Sequence, residues 1–189
     1  MSSIRLFILG SLAERGAMHG HALRLLADEE HIEEWADVTP GAIYGAIKRL
    51  AAERLIDPVR VEREGNYPER QVYEITAAGR EMLTAIRRQA LESIVHRPDP
   101  FDLAMARLGA ENLAELRETI ETRLAEFRGR LDAEHVHRAR IAHHLTLTEQ
   151  HVMLHDAHRL RGEIAYHEDL LAALPEIIAD ESARKDLRP

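Results

Sequence analysis

Thr39-Pro40-Gly41-Ala42-Ile43-Tyr44-Gly45-Ala46-Ile47-Lys48-Arg49-Leu50 is the stretch on which the reading of this chain turns. Threonine is a residue type that caps helices by accepting from an unpaired first-turn amide, and proline suits the first helical position, where its missing N–H costs nothing. The sequence therefore predicts a helix that starts here. At about 100° per residue Ile43, Ile47 and Leu50 share one face, while Gly41, Gly45, Lys48, Arg49 and Ala52 fall on the other. The outward face is small, then basic. Small side chains permit close approach and adjacent cations suit a polyanion, which is the character of a helix lying in the major groove of DNA. An ordinary surface helix shows the same pattern, so the neighbouring residues have to decide.

Upstream, Ile4, Leu6, Phe7, Ile8, Leu9 and Leu12 mark an apolar helix closed by Gly16. His19-Gly20 opens a second helix whose Leu23, Leu26 and Ala27 point one way. The acidic run Asp28-Glu29-Glu30, with Glu33 and Glu34, reads as a solvated face leading to Trp35. Two short helices ahead of the Thr39–Leu50 segment give the order of a helix-turn-helix. Downstream, Asp57-Pro58 reads as a break, Val59 to Glu64 alternates apolar with charged, and Gly65-Asn66-Tyr67-Pro68 reads as a turn. Gln71 to Thr76 returns as a strand with Tyr73 and Ile75 on one face. This hairpin is a two-stranded wing, with Arg63, Asn66 and Arg70 at its tip suited to phosphate or minor-groove contact. A polar hairpin that merely caps the core is the other reading of each residue alone; next to a basic helix the combination is more specific.

Taken in order, His19-Gly20, Pro40-Gly41-Ala42-Ile43-Tyr44, Lys48-Arg49-Leu50 with Leu55-Ile56, then Pro68, Arg70, Tyr73, Ile75-Thr76 and Gly79 resemble the winged-helix domain of PadR-type transcriptional regulators. The resemblance covers about residues 4 to 84, and its most specific part is Pro-Gly-x-Ile-Tyr. Two departures stand out. His21 replaces the aromatic residue that usually follows His-Gly, and Arg54 stands where a glycine usually precedes Leu-Ile. The second asks an arginine to end a helix where φ > 0 is cheaper for glycine. The resemblance implies a mainly α fold: a winged helix-turn-helix with a small β wing, then an all-helical region pairing two protomers. It also implies repression. On this reading Thr39, Gly41, Tyr44, Lys48, Arg49, Arg63, Asn66 and Arg70 face DNA.

Composition narrows the alternatives. The 189 residues carry a formal charge of −8, with 45% hydrophobic and 31% charged residues and no cysteine. That is a soluble globular chain without disulfides or thiolate metal sites, consistent with the cytoplasm. Ile4 to Ala13 resembles a short signal core, but Arg5 interrupts it and Glu14-Arg15-Gly16 follow where a small-residue cleavage site belongs. No apolar run approaches a membrane span. The net charge disfavours general coating of nucleic acid, yet it is uneven: residues 1–97 hold 13 Lys/Arg against 15 Asp/Glu, and residues 98–189 hold 12 against 18. Lys48, Arg49, Arg54, Arg60, Arg63 and Arg70 supply a local basic surface in the first half.

Thr76 suits the cap of a further helix, with Met82, Leu83, Ile86, Ala90, Leu91 and Ile94 along its buried side. Pro98-Asp99-Pro100 is the clearest boundary, dividing a winged-helix domain with linker helix (1–97) from a helical dimerisation or effector region (98–178) and a flexible tail (179–189). The second half shows no strand signal. Phe101 to Leu108 reads as a short helix ended by Gly109, and Leu113, Leu116, Ile120, Leu124, Phe127 and Leu131 recur along a longer one. Thr146-x-x-Glu149 reads as a capping box for a last helix ended by Pro175. That helix bears the stripe Met153, Ala157, Leu160, Ile164, His167, Leu171 and Leu174. So small a unit is expected to leave such stripes uncovered, which makes Met153, Leu160, Ile164, Leu171 and Leu174 the expected pairing surface of a homodimer.

Eight of the 12 histidines lie between residues 135 and 167. His151, His155 and His158 share one helical face and are the only candidates for a metal, though no carboxylate completes a ligand set and a solvated face explains them as well. His167, inside the stripe, reads as a packed, hydrogen-bonded core residue. There is no Gly-rich phosphate loop, nucleophile elbow or His-Glu-x-x-His helix, so no enzyme and no cofactor are expected. The sequence predicts a homodimeric regulator on an inverted-repeat DNA operator and leaves open whether a small-molecule effector releases it. The rival is a helical interaction or His-dependent metal-binding protein on a winged-helix scaffold, favoured by a pI near 5.8.

Overall fold

The computed structural model describes residues 3–63, 69–95, 98–109 and 112–186, and divides into two compact units, Met1–His96 and Arg97–Pro189. The first contains α1 (Ser3–Arg15), β1 (Met18–His19), α2 (Gly20–Glu29), α3 (Ile32–Trp35), a 3-10 turn at Pro40–Ala42, α4 (Ile43–Ala52), β2 (Ile56–Glu62), β3 (Arg70–Ile75) and α5 (Ala77–Glu92). Its core is built from the inward residues of every helix but the last turn of α5: Ile8, Leu9 and Leu12 meet Leu23 and Ala27, Ile43, Ile47 and Leu50, and Leu83. Leu91 and Ile94 do not join it. They are 82% and 98% exposed, because α5 leaves the core after Ile86 and ends at Glu92.

The sheet differs from the expected hairpin in two ways. It has three antiparallel strands in the order β1-β3-β2, since Gly16, in the left-handed region at φ +81°, turns the chain so that Met18 and His19 pair with Tyr73 and Val72. Asp57-Pro58 is also no break. Both residues lie within β2, where Pro58 opposes Tyr73 and the register slips before Arg60. Because β2 is an outer strand, a residue without N–H costs no ladder bond there. β3 buries Val72 and Ile75, with Tyr73 half-buried. The expected turn at residues 65–68, with Asn66, lies outside the described residues.

The second unit contains α6 (Pro100–Met105), α7 (Leu116–Ile141) and α8 (Leu147–Asp186). α7 and α8 form an antiparallel hairpin. Glu149 accepts from the Thr146 N–H at 2.7 Å while Thr146 Oγ1 accepts from the Glu149 N–H at 3.3 Å, a reciprocal cap at the start of α8. Leu116 and Ile120 meet Leu170 and Leu174, with Phe101, Met105, Ile177 and Ile178 around them. Pro175 does not end α8. It sits inside the helix, which runs on to Asp186 because Ile177 and Ile178 still have apolar partners, and their partial burial offsets part of the roughly 3 kcal/mol cost of an internal proline. Residues 179–186 are therefore helical rather than tail, and 187–189 lie outside the described residues.

The stripe on α8 is covered in large part by the same chain. Ala157, His167 and Leu174 have no exposed surface, Leu170 has 9%, and Met153, Leu160, Ile164 and Leu171 are half-buried. A 26-residue α7 alongside supplies the apolar face that so small a unit was expected to lack. Among the described residues no helix is long and apolar enough to cross a membrane.

Candidate nucleic-acid interface

The surface of α4 follows from its packing. Ile43, Ala46, Ile47 and Leu50 are buried, which turns Gly41, Tyr44, Gly45, Lys48 and Arg49 outward. The helix begins differently from expectation. The Thr39 side chain makes no capping hydrogen bond; its carbonyl accepts from the Ala42 N–H at 3.0 Å, closing the Pro40–Ala42 turn, and α-helical geometry starts at Ile43. Proline at the start of the turn supplies the fixed φ that a threonine cap would otherwise hold in place. Thr39 is left exposed on the same surface as Gly41.

Two glycines set how deep α4 sits. At Gly20 an added Cβ would come within 3.0 Å of the Tyr44 ring and 3.1 Å of Ile47, so with a side chain there those neighbours on α4 would have to give by a few tenths of an ångström. His19 holds that turn by accepting from the Ala22 N–H at Nδ1, 2.9 Å away. At the other end α4 closes in a left-handed cap: Arg54 has φ +58°, its N–H donates to the Ala51 carbonyl at 3.0 Å, and the Leu55 N–H donates to the Leu50 carbonyl at 2.9 Å. The strain foreseen for Arg54 is thus present in the backbone. The Leu55 carbonyl then accepts from the Thr76 N–H at 3.1 Å and lies against Gly79, where a Cβ would stand 2.1 Å from its oxygen. Thr76 completes the joint: Oγ1 donates to the Arg54 carbonyl at 2.9 Å and accepts from the Gly79 N–H at 3.0 Å. The His19 cap and the Gly79 seat were not read from the residues; an isolated His-Gly and a Thr-x-x-Gly before an apolar run were the available signals.

Charge is distributed so that the face of α4 keeps its cations. Arg5 binds Glu53 through two hydrogen bonds of 2.9 and 2.6 Å, Arg15 pairs with Glu30, and Arg24 with Asp28. Those acids have basic partners away from α4's outward face. Lys48 and Arg49 are exposed and ion-paired with none of the described residues. On the wing, Arg60 is held by Glu62 at 2.7 Å and so contributes less than the sequence suggested. Arg63 is exposed just beyond β2, and Arg70 begins β3 opposite Glu62. Helix and wing are consecutive, joined by the Arg54–Leu55 cap. An extended surface of small residues and uncompensated cations, followed by a hairpin, can take a phosphate backbone and approach base edges.

The second unit offers no comparable chemistry. His151, His155 and His158 are all exposed on α8, and among the described residues no three His, Asp or Glu side chains are placed to hold a metal ion. Asp99 caps α6 by accepting from the Phe101 N–H at 2.8 Å and pairs with Arg123 at 3.0 Å; these two contacts, the backbone one first, hold its carboxyl below the usual aspartate value.

Residues 8–85 match the model of the Transcriptional regulator PadR-like family. Among solved structures, the Bacillus subtilis PadR in complex with operator DNA is 20% identical with a TM-score of 0.68, covering 92% of this chain and 99% of that one. The same protein in complex with p-coumaric acid is 17% identical with a TM-score of 0.69, at 92% and 99% coverage. A PadR-like transcriptional regulator from Bacillus cereus is 16% identical with a TM-score of 0.61, covering 92% of this chain and 98% of that one. No curated protein sequence matches the chain. At these identities the structures show the fold, while the family match speaks for the first unit.

Proposed function

We propose that this chain is a cytoplasmic, sequence-specific repressor that works as a homodimer on an inverted-repeat operator, a reading supported by the match of residues 8–85 to the model of the PadR-like transcriptional regulators, which bind DNA and are not enzymes. The observation that carries the reading is the outward face of α4: Gly41, Tyr44, Gly45, Lys48 and Arg49 exposed together, with both cations lacking an ion pair among the described residues. Thr39 extends this face, and Arg63 and Arg70 lie on the wing that follows it. Phosphate contact suits the wing arginines, since cations on a hairpin positioned by its backbone register orient a protein without reading sequence.

Pairing would set operator length, because two heads related by a two-fold axis read half-sites about one helical turn, ~34–36 Å, apart. Half-buried Met153, Leu160, Ile164 and Leu171 remain available for it, whereas Leu174 is enclosed by its own α7 and acts from beneath. A small effector has one candidate place in the second unit, a cavity of about 190 Å³ at the α7–α8 turn lined by His135, Arg138, Ala139, Ala142, Gln150 and Leu154. The likeness to the Bacillus subtilis PadR in complex with p-coumaric acid supports a small-molecule effector here. No cofactor enters this reading.

The test is selection of bound fragments from genomic DNA by the full chain, followed by affinity against salt. Lys48→Ala should flatten the slope of log K against log salt by about one unit if Lys48 meets phosphate, or cost about 1–3 kcal/mol at one operator position if it reads a base. Unchanged binding in both Lys48→Ala and Arg49→Ala removes α4 from the interface. Leu160→Glu should sediment as a monomer and lose the operator while the first unit stays folded; a stable Leu160→Glu dimer at micromolar concentration moves the pairing surface off α8.

A further inference from the structure

His167 is completely buried between α7 and α8 with both ring nitrogens engaged. Nδ1 lies 2.7 Å from the Glu163 carbonyl oxygen, and the Arg123 Nε–H points at Nε2 from 3.0 Å. A carbonyl only accepts and a guanidinium only donates, so the single ring proton sits on Nδ1 and the lone pair on Nε2 faces Arg123. Arg123 is itself fixed in place. Its Nη2 donates to Asp99 Oδ2 at 3.0 Å, and its guanidinium carbon stands 4.1 Å from the centroid of Phe101. Phe101, Phe127 and Tyr166 surround the imidazole at centroid distances of 5.4, 5.0 and 5.3 Å.

We propose that the α7–α8 hairpin is an acid-sensitive clasp, closed while His167 is neutral and loosened when its ring takes a second proton. The charged groups facing His167 are Arg123 on α7, Asp99 ahead of α6, and the Glu163 carboxylate on α8, whose Oε2 is 3.9 Å from Nδ1. Both carboxylates attract a charged ring, but neither offers Nε2 an acceptor: Glu163 lies on the Nδ1 side, where the carbonyl bond already exists, and Asp99 is hydrogen-bonded to Arg123. A proton on Nε2 would set N–H against N–H at 3.0 Å inside a space closed by three aromatic rings, so Arg123 must leave and the Asp99 contact with it. The unfolded chain takes that proton without conflict, so a proton added to the ring favours the open chain over the closed clasp. Coupling of this loosening to operator release rests on the dimeric repressor reading; the clasp itself does not.

The experiment compares the full chain with His167→Gln, which keeps an acceptor for Arg123 and an N–H for Glu163 but cannot charge. Urea unfolding between pH 8 and 5.5 should show the folding constant of His167→Gln rising relative to the parent by about tenfold per pH unit below ~6.5, one excluded proton's worth. Parallel pH profiles overturn the clasp. Should His167→Gln fail to fold, 15N spectra of the parent chain decide: a His167 ring still neutral with Nδ1 protonated at pH 6 supports it, and a doubly protonated ring in an intact hairpin at that pH refutes it. If the clasp holds but operator binding is indifferent to pH, the stability arm stands and the coupling to DNA falls.

Discussion

Replacing Gly79 with alanine sets a methyl group against the joint that ends α4. The new Cβ would lie 2.1 Å from the Leu55 carbonyl oxygen and 2.8 Å from Ile75 Cγ1, where ordinary contact begins at 3.4 Å, so something must move by more than 1 Å. The first of those neighbours is backbone and cannot turn aside. Its oxygen accepts the Thr76 N–H at 3.1 Å, and the same residue's N–H closes the cap onto Leu50 at 2.9 Å. Overpacking of this kind costs about 1–3 kcal/mol, and each weakened hydrogen bond about 1 more, against a return of up to about 1 kcal/mol from alanine's helix preference. The net loss is about 2–4 kcal/mol, or a fall of roughly 8–30 °C in Tm for a unit of this size. Thermal unfolding followed by circular dichroism measures it, with Gly129→Ala as control: nothing lies within 4 Å of that position, and the substitution should raise stability by about 0.5–1 kcal/mol. A Gly79→Ala chain that unfolds at or above the parent temperature would show that the Leu55 carbonyl does not rest on residue 79.

Arg54→Gly addresses the other side of the same cap. Relief of about 1–2 kcal/mol of left-handed strain, less the greater freedom of glycine in the unfolded chain, should raise stability by about 0.5–1 kcal/mol in urea unfolding; a loss instead would mean the arginine side chain carries more than its backbone costs. Asp99→Asn tests the lowered carboxyl. A depressed aspartate adds stability that is full above its ordinary value of 3.8 and disappears as the pH falls through the lower folded value, so the parent's advantage over the variant should be constant near neutrality and shrink below pH 3.8. An advantage unchanged down to the acid limit would detach Asp99 from this account.

The winged-helix half was legible because its punctuation is local. Pro40 fixes where the turn begins, Gly16 and Arg54 end helices, and the 3.6-residue period of Ile43, Ile47 and Leu50 states which face is inward. What escaped were contacts made across the fold: Gly20 under Tyr44, Gly79 under Leu55, and the pairing of Met18-His19 with β3, none of which leaves a periodic trace. Pro58 misled because a proline's meaning in a strand depends on whether that strand has a neighbour on both sides, which sequence does not reveal. Pro175 misled in the same way: a helix breaks at proline unless apolar partners lie beyond it, and Ile177 and Ile178 have them. The candidate DNA face was readable as a pattern of small and basic residues, but not the division of cations into those with acid partners, such as Arg5, Arg15 and Arg60, and those without one among the described residues, Lys48 and Arg49. For α8 the stripe was visible and its owner was not, since one chain's long neighbour and a second copy satisfy the same periodicity.

The placement of Pro58 also bears on how this protein behaves when concentrated. β2 is the outer strand of its sheet, and Val59 and Val61 stand on it 46% and 55% exposed, which is the composition of a strand that recruits others. A proline in that strand withholds a donor that an incoming chain would need, and the slipped register beside it interrupts the straight ladder along which a foreign strand would align. Arg60 and Glu62, paired with one another, add charge to the same rim. The wing can therefore carry bare valines on a free sheet margin and still keep its copies from fusing edge to edge, leaving the margin open to a different kind of surface.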